Sequence, residues 1–419
     1  MSRRRCASLR TCVALAILLA GCGGRGARDW ASVHEVTPAF LIARTAGDPA
    51  IAADRHGRIA LTWVTRDSLG QDLWLALSAD SGLTFAAPMR VNPRPGSVSS
   101  DAESRPLAVF GPGGELLVTW SERRGSDPRV ADLVARASGD GGRTLGPTVV
   151  INDDAEDGKA VFHGFPTLAF LPGGGVFAAW MDHRETTRPG AGREPSASLF
   201  YALSGDGGQS WSDNRPLTDR ACPCCRPAAL GDANGLVAVA YRSAGGGRRE
   251  PALAVSRDRG VSFALDTVLM TDGWRLTTCP ADGPALAMDG AGGGHYASYT
   301  GTVEGGAWVA PWRADGGLAG MRRALSDSLS HAGHPRLARL GEATLIALEG
   351  RPRADSTRGV VAVRALDPDG TLTPWLFLGA DAGDGWMATS DDRAALVCWT
   401  ERGDEGGRVR VARVTRRRR

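Results

Sequence analysis

Short apolar segments and glycine-rich turns alternate along most of the chain. The apolar runs are roughly four to eight residues long, a length typical of β-strands. Glycine makes up 56 of the 419 residues, and many glycines stand between these runs, where they mark turns. No amphipathic stretch is long enough to predict a substantial helix. The pattern therefore predicts an all-β fold.

One unit of this pattern recurs along the chain. It opens with a proline and an apolar strand, turns at a glycine, and ends a second strand at an aromatic residue, as in Pro49 to Trp63 and Pro106 to Trp120. Further copies open at Pro166, Pro227, Pro284, Pro335 and Trp386. Repeats of roughly 50 to 60 residues with four short strands each are typical of β-propeller blades.

We therefore predict a single β-propeller domain over residues 33–414. Seven four-stranded antiparallel blades fill this length, with six as the alternative. The last repeat lacks an outer strand of its own, and the segment Val36–Ile42 could supply it and close the ring. Closure would remove most exposed sheet edges, which favour aggregation in an all-β chain.

A second signature, Ser-x-Asp-x-Gly followed by Thr or Ser and a large apolar residue, occurs four times. The copies are Ser78–Phe85, Ser138–Leu145, Ser204–Trp211 and Ser256–Phe263. An Asp carboxylate can accept backbone N–H groups across a tight turn, and Gly adopts the positive φ that such a turn requires. The signature resembles the Asp box, or BNR repeat, of the sialidase-like superfamily. The resemblance implies a structural turn on the face away from the ligand site.

The first residues read as a targeting segment. Arginines near the start precede the short apolar stretch Val13–Leu19, and Leu19-Ala20-Gly21-Cys22 resembles a bacterial lipobox. The resemblance implies a signal peptide over residues 1–21, a lipidated Cys22 and a tether over 22–32. The protein would then be anchored by lipid in the cell envelope, with Gly23 favouring the outer membrane. An ordinary secretory signal is the alternative.

Charge excludes one class of partner. Residues 1–21 contain four arginines and no acidic residue, so their removal from a formal charge of +3 leaves a nearly neutral protein. Nucleic acids attract proteins mainly through basic surfaces, so we expect no nucleic-acid partner. The basic tail, residues 415–419, is interpreted as a solvated end.

The repeat also predicts which residues meet in space. In a propeller the first strand of each blade lines the central channel, so residues just before the repeat proline lie at one mouth. The second strand runs back to the same mouth. The rim would thus include Asp48, Arg66, Glu349 and Arg402. The candidate ligand-binding residues are Arg105, Glu122, Asp182, Arg226, Arg242, Asp282 and His334. The alternative is that strand ends are polar because they reach water.

Cysteines are concentrated at the same rim. Cys222, Cys224 and Cys225 precede Pro227, and Cys279 occupies the equivalent position before Pro284. One interpretation is disulfide bonding, for instance between this cluster and Cys279. A second is a thiolate site for Cu(I) or Zn(II) that includes His163 or His331, and a third is a redox role. Cys398 lies in an apolar run and is interpreted as a core thiol.

The resemblance to sialidases implies specific chemistry: three arginines that hold the substrate carboxylate, a tyrosine nucleophile activated by Glu, and an Asp acid/base. In that family the first arginine stands two residues before a strand-opening proline. None of the six residues at that position here is Arg: Gly47, Ser104, Gly164, Cys225, Asp282 and Gly333. Arg242 is the best remaining carboxylate clamp, and no Tyr–Glu pair can be assigned.

The sequence therefore predicts an envelope-anchored propeller that binds a ligand at the cysteine-rich mouth without standard sialidase chemistry. A glycan, a metal ion or an envelope protein could be that ligand. The alternative is an exo-sialidase or another glycoside hydrolase with an altered active site, and a purely structural scaffold is a third hypothesis.

Overall fold

The computed structural model describes residues 30–417 apart from 43–44, 128, 158, 185–195, 264, 277–279, 303–305, 316 and 405. Within these residues the chain forms thirty β-strands, one four-residue α-helix and three short 3₁₀ helices. The predicted all-β fold is confirmed. None of the described helices is both long and apolar enough to cross a membrane.

The first half of the chain supplies an N-terminal strand, a short helix and three units of strands. The N-terminal elements are β1 (Ala31–Glu35) and α1 (Ala39–Ile42). Unit 1 contains β2 (Ala46–Ala53), β3 (Ile59–Asp67), β4 (Gly70–Ser78) and β5 (Met89–Arg90). Unit 2 contains β6 (Val98–Ser99), β7 (Leu107–Phe110), β8 (Leu116–Arg123), β9 (Ala131–Ser138) and β10 (Val149–Val150). Unit 3 contains β11 (His163–Phe170), β12 (Val176–Asp182), β13 (Ala197–Ser204) and β14 (Arg215–Ala221).

The second half supplies four more units. Unit 4 contains β15 (Ala228–Gly231), β16 (Val237–Ser243), β17 (Glu250–Ser256) and β18 (Leu265–Val268). Unit 5 contains β19 (Ala285–Met288), β20 (Gly293–Thr300), β21 (Gly306–Arg313), β22 (Gly317–Leu318) and β23 (Arg323–Ala324). Unit 6 contains β24 (Leu329–Leu340), β25 (Ala343–Pro352), β26 (Val360–Leu366) and β27 (Leu376–Leu378). Unit 7 contains β28 (Ala382–Thr389), β29 (Ala394–Gly403) and β30 (Gly406–Arg416).

Hydrogen bonding groups the described strands into six sheets, in which neighbouring strands are antiparallel. Units 3 and 4 share one eight-stranded sheet, which is joined at β14 and β16 through the single residue pair Ala221 and Ser243. Dividing that sheet at this junction gives seven units. The seven-blade count depends on this division and stays a prediction.

The inner strands form a closed ring. Each of β2, β7, β11, β15, β19, β24 and β28 contacts the inner strand of the next unit, and β28 contacts β2. The residues that open these strands therefore collect at one end of a central channel. We call this end the mouth.

The N-terminal strand closes the ring. Strand β1 pairs with β30, so that Val33 lies opposite Val414 in the sheet of unit 7. The expectation that Val36–Ile42 supplies this strand is wrong, because Ala39–Ile42 turns into the helix α1 and buries Leu41 completely. The chain reaches its closing position a few residues earlier than the hydrophobic pattern suggested.

Several inner strands share an irregularity at the mouth. Their register shifts just where the repeat proline stands, between Gly47 and Ala50 in β2 and again in β11, β24 and β28. The residue inside the shift has a positive φ: Asp48, Phe165, His334 and Asp384. This conformation is uncommon for residues other than glycine, and such backbone strain concentrates at functional sites. The repeat proline therefore marks a bulge that places specific side chains at the mouth.

Hydrophobic clusters between successive sheets hold the ring together. The indole of Trp120, which ends the second strand of unit 2, is fully buried against Leu73 and Val91 of unit 1. Trp180 occupies the equivalent position in the second strand of unit 3, and Trp312, in the third strand of unit 5, is buried in the cluster between units 4 and 5. Large aromatic side chains bury more apolar area than other residues, so these positions contribute strongly to stability.

The four Ser-x-Asp turns adopt one geometry. In the copy that begins at Ser204, the serine hydroxyl donates to Asp206 Oδ1 at 2.8 Å and accepts the Gly208 N–H at 2.8 Å, while Ser210 donates to both carboxylate oxygens. Gly208 has a φ of 95°, and a Cβ there would lie 2.5 Å from Leu117 of the preceding unit. Each turn follows a third strand that runs away from the mouth, so the turns lie on the opposite face.

We expect Ser204→Ala to lower the free energy of unfolding by about 1–2 kcal/mol, because it leaves the buried Gly208 N–H without its acceptor. Ser356→Ala, at an exposed position, is the matched control and should change stability very little. Urea unfolding monitored by tryptophan fluorescence would measure both. Equal effects of the two substitutions would contradict a structural role for this turn.

Candidate functional site

A nearly fully buried carboxylate, Glu103, stands at the centre of the mouth. Its Oε1 accepts a hydrogen bond from His334 Nδ1 at 2.9 Å, and its Oε2 lies 3.3 Å from Arg226 Nε. The backbone N–H of Gly283 donates to the same Oε2 at 3.3 Å. Glu103 therefore connects the starts of the inner strands of units 4, 5 and 6 to unit 2.

Three buried arginines surround Glu103. The guanidinium carbons of Arg105, Arg226 and Arg336 lie 5.1, 5.9 and 4.5 Å from the ring centre of Trp386. Arg105 and Arg226 also donate to backbone carbonyls of other units, those of Pro49, Asp384, Pro284 and Pro335. Charge-assisted hydrogen bonds of this kind are stronger than neutral ones. The arginines thus link the inner strands across the channel, and they line a cavity of about 200 Å³ within it.

Two further carboxyl groups lie in the same cluster. Asp282 Oδ2 accepts the His334 backbone N–H at 3.0 Å, and Glu349 Oε1 accepts the Gly385 N–H at 2.9 Å. The other oxygen of Asp282, Oδ1, is buried and has no hydrogen-bond partner among the described residues. We refer to Glu103, Asp282, His334 and Glu349 as the mouth cluster.

The carboxyl groups of the mouth cluster have pKa values that move in opposite directions. Burial raises the pKa of Asp282 and of Glu349, and neighbouring charges do not offset it. Burial acts in the same direction on Glu103, but the charge of Arg226 and the hydrogen bond from His334 outweigh it and lower its pKa. The cluster therefore combines one carboxyl group of lowered pKa with two carboxyl groups of raised pKa. Such pairs are typical of sites for general acid and base catalysis.

His334 is the member of the cluster that solvent reaches best, with a third of its side chain exposed. Burial alone would lower its pKa, but the hydrogen bond to Glu103 and the charges of Asp282 and Glu349 raise it to about 10. The imidazole is therefore protonated at neutral pH and presents a positive charge at the mouth.

A groove of about 730 Å³ adjoins the mouth cluster. The rings of Phe162 and Phe165 and the turn at Pro223 form part of its wall, and Ser100 and Asp101 contribute polar groups. Asp101 Oδ1 accepts the backbone N–H of Glu103 at 3.0 Å, so the groove and the cluster share a loop. Aromatic faces beside a few polar groups are the usual composition of a ligand-binding cleft.

Comparisons with known proteins identify the fold. The polysaccharide lyase Uly1 is similar to this chain with a TM-score of 0.55 and 12% identity, over 91% of this chain and 92% of the lyase. An α-L-arabinanase of Penicillium chrysogenum, complexed with arabinobiose, gives 0.52 and 18%, over 80% and 97%. The endosialidase of phage phi92 gives 0.51 and 11%, over 93% and 70%. The chain is a β-propeller. No protein-family model and no curated protein matches its sequence.

The propeller brings four of the seven candidate ligand-binding residues together. Arg105, Arg226, Asp282 and His334 all belong to the mouth cluster or contact it. Glu122 lies elsewhere on the rim, where it accepts a hydrogen bond from Ser97 at 2.9 Å and pairs with Arg94.

Arg242 does not present an open carboxylate clamp. It is buried, and its five N–H groups all donate within the propeller: to the carbonyls of Asp282, Arg249 and Tyr299 and to Ser298 Oγ. Its guanidinium also lies 5.0 Å from the ring of Trp274. Arg242 therefore holds units 4 and 5 together and has no N–H group left for a ligand in this conformation.

Asp182 and His163 belong to a separate buried cluster. His163 donates through Nδ1 to the Ala131 carbonyl at 2.8 Å, and its Nε2 lies 3.0 Å from Asp154 and 3.5 Å from Asp182. Arg184 pairs with both carboxylates. Burial lowers the pKa of His163, but the two carboxylates raise it above its usual value. Arg184 thus balances part of the acidic charge and the raised pKa of His163 favours a second positive charge, so we interpret the cluster as a structural ion-pair network.

The rim cysteines lie on the mouth face, in the turn that precedes β15. The Sγ atoms of Cys222, Cys224 and Cys225 lie within 4.8 Å of one another, a spacing that could hold a metal ion. Neither His163 nor His331 joins them in such a group among the described residues. Cys279 lies outside the described residues, so its predicted proximity stays a prediction.

Two of these cysteines form a close pair. The Sγ atoms of Cys222 and Cys225 are 3.1 Å apart, and both residues are 1% exposed. The hydrogen bond from Cys225 and the charges of Arg242 and Arg249 lower the pKa of Cys222 to about 7, against the effect of burial. Burial raises the pKa of Cys225. Cys398 is fully buried in the core of unit 7, where the sequence placed it.

Three members of the site were missed from the sequence. Glu103 stands three residues before Pro106, in a turn where Asp101 caps the N–H groups of Glu103 and Ser104, and the same offset of His163 from Pro166 was the available signal. Arg336 directly follows the repeat proline Pro335, whereas candidate residues were sought before that proline. Trp386 stands in the last repeat at the position where the other six repeats have proline. This difference was the available signal that the position has a special role.

We expect Glu103→Gln to lower the pKa of His334 by at least two units, because it removes the carboxylate that stabilises the imidazolium. In the native protein the stabilisation from this pair should be complete between about pH 4.5 and 6.5, and it should be lost as the pH rises towards 10, where His334 loses its proton, and at acid pH, where Glu103 is protonated. Histidine NMR titration, with assignment by His334→Asn, would measure the shift. An unchanged His334 pKa in Glu103→Gln would contradict the pairing.

Proposed function

We propose that this propeller is a carbohydrate-active protein that binds a glycan at its mouth, with sugar hydroxyl or carboxylate groups against the mouth cluster. The structural neighbours named above include an arabinanase, an endosialidase and a polysaccharide lyase, and they support a carbohydrate ligand. The observation that carries the proposal is the mouth cluster itself: an ionised Glu103 and a protonated His334 beside two carboxyl groups of raised pKa.

The chemistry of the mouth suits a polar, partly anionic glycan. The charged imidazolium of His334 can donate to a hydroxyl or a carboxylate, and the carboxyl groups can accept from sugar hydroxyls. The adjoining groove extends the site past Phe162, whose half-buried ring can pack against a pyranose ring. A chain of several sugars would therefore find polar contacts at the centre and aromatic contacts along the groove.

Hydrolysis of a glycosidic bond is the second candidate function. Glycoside hydrolases generally use two carboxyl groups, one as acid and one as base or nucleophile. Asp282, whose pKa burial raises, is the candidate acid, and Glu103, whose pKa is lowered, is the candidate base or nucleophile. A sialidase-type tyrosine nucleophile has less support, since Tyr201, Tyr241 and Tyr296 are buried in hydrophobic clusters.

Location in the cell envelope is part of the proposal. The lipobox-like residues that end at Cys22 support export and lipid attachment, and the nearly neutral charge after their removal supports a partner other than nucleic acid. A glycan of the envelope or of the surroundings would be within reach of such a protein. An envelope protein remains the alternative partner.

We expect His334→Asn to weaken glycan binding at least tenfold, because it removes the positive charge at the mouth. His56→Asn, an exposed histidine at the opposite end of the channel, is the matched control and should bind like the native protein. Affinity electrophoresis and calorimetry against arabinan, uronate-containing polysaccharides and sialosides would measure both. Equal loss in the two variants, or no binding to any glycan, would contradict the proposal.

If the propeller hydrolyses its glycan, we expect Asp282→Asn to reduce kcat by roughly 10²–10⁴-fold, since it removes the proton donor. Asparagine keeps the size of the side chain and an oxygen that can accept the His334 N–H, so folding should be preserved. Release of reducing ends measures hydrolysis, and absorbance of unsaturated uronate measures elimination in the same samples. Turnover that survives in Asp282→Asn would assign the acid to another residue, and binding without turnover would leave the protein a lectin-like propeller.

A further inference from the structure

The turn before β15 carries a pair of thiols that the glycan site does not use. Cys222 and Cys225 have the Cys-x-x-Cys spacing, and both are reduced in the structure. The N–H of Cys225 donates to the Cys222 carbonyl at 3.3 Å, so a tight turn brings the two side chains to the same side. Their Sγ atoms, at 3.1 Å, are closer than the ordinary contact distance between two sulfur atoms, with the Cys225 thiol directed at Cys222.

The surroundings of this pair favour sulfur chemistry over simple packing. Together with Ala244, the two cysteines form a small cluster of their own, separate from the large hydrophobic clusters. The backbone carbonyl of Arg242 accepts the Cys222 N–H at 2.8 Å and fixes the base of the turn. The buried guanidinium of the same residue places a positive charge near the Cys222 thiol. Cationic side chains next to a cysteine favour the thiolate, which is the reactive form.

The turn also borders the groove. Pro223 and Cys224, between the two thiols, form part of the groove wall, and the Pro223 carbonyl lies 3.2 Å from His183 Nε2. Opening this two-residue wall would expose the buried sulfurs to a reactant in the groove. Each thiol is therefore the sequence neighbour of a residue that lines the groove.

From this geometry we propose that Cys222 and Cys225 form a thiol–disulfide redox couple on the mouth face of the propeller. The oxidant is a disulfide of another molecule, either a small thiol compound or an envelope protein. The pair differs from the predicted disulfide to Cys279, because it closes a four-residue ring within one turn. It does not depend on glycan binding.

The exchange proceeds in two steps. The Cys222 thiolate attacks one sulfur of the oxidant, so that a mixed disulfide forms, the oxidant's S–S bond breaks and one thiolate leaves. Cys225 then gives up its proton and its sulfur attacks Cys222 Sγ, which forms the Cys222–Cys225 bond and releases the second thiolate. The two departing thiolates take up the protons of the two cysteines. Two electrons and two protons thus pass from the dithiol to the oxidant.

A glutathione titration tests the couple. The full-length protein is equilibrated with mixtures of reduced and oxidised glutathione, quenched with acid and alkylated, and the Ala221–Arg226 peptide is analysed by mass spectrometry. We expect Cys222 and Cys225 to lose alkylation together as the mixture becomes oxidising. Cys398→Ala, which removes the distant core thiol, should titrate like the native protein. Cys225→Ser should trap a glutathione adduct on Cys222, whereas Cys222→Ser, which lacks the attacking thiolate, should form little adduct on Cys225.

Three results would overturn the proposal. The first is persistence of both thiols at every glutathione ratio, even when the protein is unfolded and refolded in the oxidising mixture. The second is copper or zinc bound in a one-to-one ratio to the purified protein and protecting both thiols, which would make the turn a metal site. A disulfide that maps to Cys222 or Cys225 with Cys279 instead would also reject the couple.

Discussion

The buried ion pairs around Glu103 are the interaction on which the centre of the propeller depends. Sheets hydrogen-bond within units, but inner strands of neighbouring units meet around a channel where few backbone groups can pair. Here arginine side chains fill that gap by donating to backbone carbonyls of other units. Their charge requires a partner, because a buried unpaired guanidinium would be costly. Glu103 supplies it, and its own ionisation in turn maintains the charge of His334.

This arrangement makes structure and proposed function inseparable at the mouth. His334 has a positive φ at the bulge in β24. In this conformation its backbone N–H donates to Asp282 and its ring donates to Glu103. Asp282 remains buried with one oxygen unpaired among the described residues. Such a group is poorly placed for stability alone, and a bound sugar hydroxyl could satisfy it. Residues that link the units are therefore also the ones that would meet a ligand.

The repeat was enough to predict the class of fold, the direction of each strand and the face on which polar residues collect. It placed Arg105, Arg226, Asp282 and His334 at one mouth because their positions relative to the repeat proline are equivalent. It did not single out Glu103, which stands three residues before Pro106, because the same offset in other units carries residues that do not reach the centre, such as His163. The repeat also did not show that Arg242, unlike the other candidates, has every N–H group bonded within the propeller. Side-chain partners of this kind depend on loops that differ from unit to unit. The closing strand was displaced by a few residues, since a short apolar segment does not specify whether it pairs as a strand or packs as a helix.

The pairing of β1 with β30 has a consequence for orientation. Strand β30 starts on the mouth face and ends on the opposite one, and Ala31 lies across from Arg416 at that far end. The chain before Ala31 therefore leaves the ring beside the aspartate turns. If a lipid at Cys22 attaches it to a bilayer, the propeller would stand on that side and direct its charged opening away from the membrane, towards polymers in the space beyond.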